Sequence, residues 1–85
     1  MTKEELRKYF FDLSDKIMKY ALTPEQASSV DEYLSKKYPY NTENGKICSQ
    51  VMIETGAGEA LLMNAQFSEG RKAPEQFAID FVSQI

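Results

Sequence analysis

The chain has 85 residues, 42% of them hydrophobic and 27% charged, with a net charge of −3 and a pI near 4.9. That suffices for a single domain, 1–85, with a modest core and no metal or disulfide staple. The acidic balance excludes the basic surface on which direct nucleic-acid binding depends. The longest apolar run, Ala60–Met63, is far too short to cross a bilayer. The first residues are charged and amphipathic where a signal peptide would need an apolar stretch. A lone Cys48 cannot form an intramolecular disulfide, which fits a reducing, cytoplasmic setting.

Thr2 followed by Glu5 forms a capping box, so the first helix starts almost at the terminus. Leu6, Phe10, Leu13, Ile17 and Ala21 recur at helical spacing and define its buried face. Glu4–Lys8, Asp12–Lys16 and Asp15–Lys19 are acid-to-base pairs on its surface, each worth roughly 0.2–0.5 kcal/mol. Thr23-Pro24-Glu25-Gln26 combines an N-cap, a proline at the first helical position and a second capping box. The second helix then buries Ala27, Val30 and Leu34, and Pro39 ends it. The short link between these two helices implies a helical hairpin or corner.

Asn44-Gly45 is a preferred type I′ turn pair, and Glu43 would face Lys46 across it. This predicts a short edge strand over Tyr40–Glu43. The apolar stretch Ile47–Phe67 that follows is symmetric about Gly56-Ala57-Gly58. Folded there as a β-hairpin, it pairs Ile53 with Leu61, Val51 with Met63 and Ile47 with Phe67, which specifies a register with one apolar face. A competing reading makes helices of 46–55 and 59–69, because Glu59-Ala60-Leu61-Leu62-Met63 is rich in helix formers and Gly70 can stop a helix. Pro74-Glu75-Gln76 opens a last helix with Phe77, Ala78, Phe81, Val82 and Ile85 on one face. The expected fold is α+β, in the order α-α-(β)-β-β-α, with helices on one face of a small antiparallel sheet; the alternative is an all-α bundle.

The chain contains no histidine. This removes the commonest general base, the Ser-His and Cys-His nucleophile pairs and most zinc sites. Glu54 and Glu59 flank the glycine loop but have no evident cleft in which to work as a hydrolytic pair. Gly56-Ala57-Gly58 resembles a phosphate cradle only superficially, since Glu59 stands where a P-loop has lysine. No catalytic set, metal site or cofactor is expected.

Two surfaces remain for binding. Phe11, Met18 and Leu22 form a second apolar ridge on the first helix, and Tyr33 on the second extends it. The unguarded strand Glu59–Phe67 offers an open edge. The leading expectation is a non-catalytic protein that occupies a macromolecular partner's surface as an inhibitor, adaptor or regulatory subunit, and that forms a homodimer. Phage-type counter-defence proteins blocking nucleic-acid-handling machinery would have this size and charge. The competing expectation is an oligomer binding a small ligand or nucleotide near Gly56, Ala57, Gly58, Arg71 and Lys72. A third is a purely structural assembly component. No motif points to a particular family.

Overall fold

Both capping boxes start helices. In the computed structural model, which describes residues 1–84, Thr2 and Glu5 exchange two hydrogen bonds of 3.1 Å, and Thr23 and Gln26 exchange bonds of 3.2 and 2.9 Å. The chain forms α1 (Lys3–Lys19), α2 (Pro24–Lys37), α3 (Glu43–Thr55), α4 (Ala57–Gln66) and α5 (Glu75–Ser83). No strand occurs among the described residues, so the α+β expectation is overturned and the all-α alternative is the architecture found.

Leu6, Phe10, Leu13 and Ile17 are buried along α1, as their spacing implies. The helix stops at Lys19, which leaves Ala21 beyond it and exposed. The expected ladder of acid–base pairs is only partly made: Asp15–Lys19 closes at 3.0 Å, but Asp12 pairs with Lys8 at 3.1 Å. Lys16 instead reaches α5. Its Nζ donates to the carbonyls of Phe81 (2.7 Å) and Gln84 (3.1 Å), at the negative end of that helix, and lies 4.3 Å from the centre of the Phe81 ring. The Tyr9 hydroxyl donates to the Val82 carbonyl at 2.6 Å. Two side chains of α1 thus hold the C-terminal end of α5.

The Ile47–Phe67 stretch is two helices meeting at Gly56, not a β-hairpin. The pairing of Ile53 with Leu61, Val51 with Met63 and Ile47 with Phe67 therefore does not exist, and neither does the open Glu59–Phe67 strand edge. The buried residues show why: Val51 and Met52 fall three and four residues after Cys48, and Leu61 four after Ala57. The apparent mirror symmetry reflects the even spread of apolar residues over two helical stretches.

The expected Tyr40–Glu43 strand and its Asn44-Gly45 turn are also absent, because both residues of that pair lie in the first turn of α3. Thr42 is the N-cap. Its Oγ1 accepts from the Gly45 N–H at 3.0 Å and donates to the Pro39 carbonyl at 2.6 Å. Glycine is needed at 45 for space: a Cβ there would overlap the Pro39 carbonyl and come within 2.8 Å of the Tyr38 oxygen.

The helices pack around α4, which touches α1, α2 and α3, while α1 runs against α3 and α2 against α5. Phe10 and Leu13 of α1, Val30 of α2, Val51 of α3 and Val82 of α5 are fully enclosed. Two long-range bonds fix the connections. Asn64 donates from its side-chain amide to the Leu22 carbonyl at 3.0 Å, and the Ala73 N–H donates to the Glu25 carbonyl at 2.9 Å. The Ile85 end of the expected α5 face lies outside the described residues.

Gly45→Ala forces a methyl group into a backbone carbonyl that cannot move without displacing the α2–α3 connection. Overpacking of this kind costs about 1–3 kcal/mol or more. The expected outcome is a lower urea midpoint with the slope unchanged.

Candidate functional site

The most distinctive surface arises where α3 turns into α4. Gly56 takes a left-handed conformation (φ 77°), its N–H donates to the Ile53 carbonyl at 3.2 Å, and α4 starts at the next residue. The Thr55 hydroxyl donates to the Val51 carbonyl at 2.9 Å and accepts from the Ala57 N–H at 3.3 Å, fixing the corner. Ala57 is fully buried, and a Cβ at Gly58 would lie 3.1 Å from that of Met52, so the helices approach closely here. Gly56, Ala57 and Gly58 are therefore accounted for by a helix stop, a core contact and a close approach.

With their inner sides in the core, α3 and α4 open outward as a groove of about 610 Å³. Met52 contributes to its floor, and Ile53, Leu62 and Met63 form its walls. These three are 79%, 52% and 55% exposed, although helices normally turn such residues inward. Tyr40, also exposed, lines it as well. Glu59 at the vertex is the one charged residue lining the groove, and it has no ion-pair partner among the described residues. Beyond Ile53 lies a shallower hollow of about 390 Å³ that shares Tyr40, Ser49 and Ile53 with the groove and is edged by Lys46 and Glu54. The Glu54 carboxylate is engaged by Arg7 through bonds of 2.8 and 3.1 Å, whereas Lys46 is unpaired among the described residues.

The structure divides the ridge expected from the sequence. Phe11 (38% exposed) and Met18 (55%) share one shallow depression on α1 with Thr55, next to the α3–α4 corner. Arg7 covers part of Phe11, with its guanidinium carbon 5.1 Å from the ring centre. Leu22 packs against the core but still lines one hollow with Met18, while Tyr33 packs against the core elsewhere, under Lys37. Tyr33 also lines a separate small hollow that contains Lys72 and not Phe11 or Met18. The glycines and the basic pair are not brought together either. Lys72 lines that hollow and pairs with Glu32, whereas Gly56 and Gly58 line the apolar groove; Arg71 is exposed in the α4–α5 connection.

The groove residues Tyr40, Ile53, Leu62 and Met63 were missed as a site because the hairpin register placed Ile53 on a buried face. On a helix, Ile53 falls well outside the Cys48–Val51–Met52 stripe, and that offset was the available signal.

The remaining titratable groups offer little reactive chemistry. Burial pushes the Cys48 thiol up to about 11, so it stays protonated at neutral pH. Burial, with Tyr38 and Tyr33 nearby, pushes Tyr9 up to about 12. The hydrogen bond from Lys72 holds Glu32 below its ordinary value, with Lys36 assisting. No group of three metal-ligating side chains occurs among the described residues, and no helix among them is long and apolar enough to cross a membrane.

Comparison with protein-family models, curated proteins and solved structures gives no match to this chain.

Cys48 is expected to react with a thiol reagent at neutral pH only as fast as the fold opens, with full reactivity in denaturant. Rapid labelling of the native protein would show the α3 face to be accessible. Lys72→Met should raise the Glu32 pKa, measurable by carboxyl carbon titration. Because the folded-state value is lowered, the pair contributes stability above the unfolded Glu pKa, and this is lost as pH falls through the folded one. The variant should therefore differ from the parent at neutral pH and converge with it in acid.

Proposed function

We propose that this protein is a non-catalytic binding protein that acts through its surface on other proteins, as an inhibitor, adaptor or regulatory subunit. The observation that carries this reading is the α3–α4 groove, where Ile53, Leu62 and Met63 stand half or more exposed around an apolar depression. Clustered exposed side chains of this size lower stability and solubility in isolation, and association is the ordinary way they are covered. Met63 and Met52 suit such a role because the thioether adapts to irregular surfaces. The apolar lining and the Glu59 carboxylate favour this reading over a nucleotide site, which would need donors and positive charge.

The Phe11–Met18 edge of α1 is a second contact surface beside the first. The acidic chain fits protein partners and neither nucleic acid nor membrane. A buried, protonated Cys48 suits the cytoplasm.

Ile53→Ser and Met63→Ser remove apolar atoms that face solvent, so thermal stability should stay within about 0.5 kcal/mol of the parent. Cross-linking in cells should lose partners captured by the parent chain. A set of cross-linked species unchanged in every member, adducts of two copies of this chain included, would exclude the groove as the contact surface.

A further inference from the structure

We propose that the occupant of the α3–α4 groove is a second copy of this chain, paired across a two-fold axis near Ile53. The inference rests on the reading of the groove as a protein-contact surface and names the partner at that site. The charge pattern carries it. Tyr40, Ser49 and Ile53 belong to both the groove and the adjoining hollow, so they occupy the middle of one continuous depression. Glu59 lies on the groove side of that middle and Lys46 on the other. From Lys46, in the first turn of α3, to the corner at Gly56 is about 15 Å at the helical rise of 1.5 Å per residue. The Lys46 end also carries Glu54, but Arg7 already neutralises that carboxylate. A strip with a free carboxylate at one end and a free ammonium at the other is complementary to itself when one copy is turned through 180° about its centre. In such an isologous contact residue i meets j and j meets i, so each Lys46 faces the other copy's Glu59. Both groups are unpaired among the described residues, and both gain a partner in the dimer. Ile53 and Tyr40 of the two copies meet at the centre, where aromatic and aliphatic anchors contribute most to binding. The Phe11–Met18 edge of α1, which lines a different depression, is left for a foreign protein.

Sedimentation of the full chain over a range of concentrations tests this. The expected species is a dimer, and Ile53→Ser should shift it to monomer while the circular dichroism spectrum stays helical. Lys46→Glu and Glu59→Lys should each weaken association by about tenfold or more, a ratio of the size expected when a facing charge pair becomes a repulsive one. The double variant, carrying both reversals, should recover the parent's association, because every cross-interface pair is again opposite in sign. Either a parent that stays monomeric at every concentration or a double variant no better than the singles overturns the proposal. If the parent is monomeric but Ile53→Ser still loses cross-linked proteins in cells, the groove holds a foreign partner: the functional reading then survives and the self-pairing does not.

Discussion

The fold depends on how closely the first turn of α3 can approach the end of α2. The Pro39 carbonyl receives the Thr42 hydroxyl, and Thr42 in turn caps α3 through the Gly45 N–H. A side chain at position 45 would occupy the space of the Pro39 carbonyl. The missing Cβ lets the chain reverse between Lys37 and Glu43 and lay α3 along α1. Only five residues separate the two helices. With α3 fixed in this way, the left-handed Gly56 brings α4 back into the middle of the structure, where it meets α1 and α2. The groove is the outer side of the same corner.

Polar contacts in this small domain serve mainly to hold helix ends. Tyr9 and Lys16 take carbonyls at the end of α5, Asn64 takes the Leu22 carbonyl, and Ala73 reaches back to Glu25. Each satisfies a group that a short helix or a turn leaves open. With so little interior, these ties position helices whose apolar faces are modest, such as the nine-residue α5. The ion pairs are on the surface, where exposed charges contribute little to stability. They matter more for which charges remain free: Glu54 is taken by Arg7 and Glu32 by Lys72, while Lys46 and Glu59 have no ion-pair partner among the described residues.

The described residues form no sheet edge, so any contact surface they offer is a helix face or a groove between helices. Several of the apolar residues that the core does not use lie beside the α3–α4 corner. Ile53, Leu62 and Met63 form one group, and Phe11 and Met18 form another across the end of α3. Two neighbouring apolar surfaces permit one contact with an identical chain and another with a different one.

Local signals in the sequence determined α1 and α2 almost completely, because capping boxes, a proline stop and a wide apolar stripe all act within a few residues. They also determined the start of α5 at Pro74-Glu75. They could not decide 40–67. There Asn44-Gly45 matches a hairpin turn as well as it matches a helix start, and Ile53 and Met63 are compatible with alternation as well as with a spare helix face. What decides is distant: the α1 face requires a helical partner in Cys48, Val51 and Met52, and the Pro39 carbonyl requires glycine at 45. The spare ridge on α1 was similarly half visible. Its periodicity placed Phe11 and Met18 outside the main stripe, but only packing separated Tyr33 from them and laid Leu22, which shares a hollow with Met18, on the core. The sequence by itself thus determined which segments begin and end helices in the first half. Tertiary structure decided which apolar residues are core and which face outward, because that depends on what lies across each helix and not on the spacing within it.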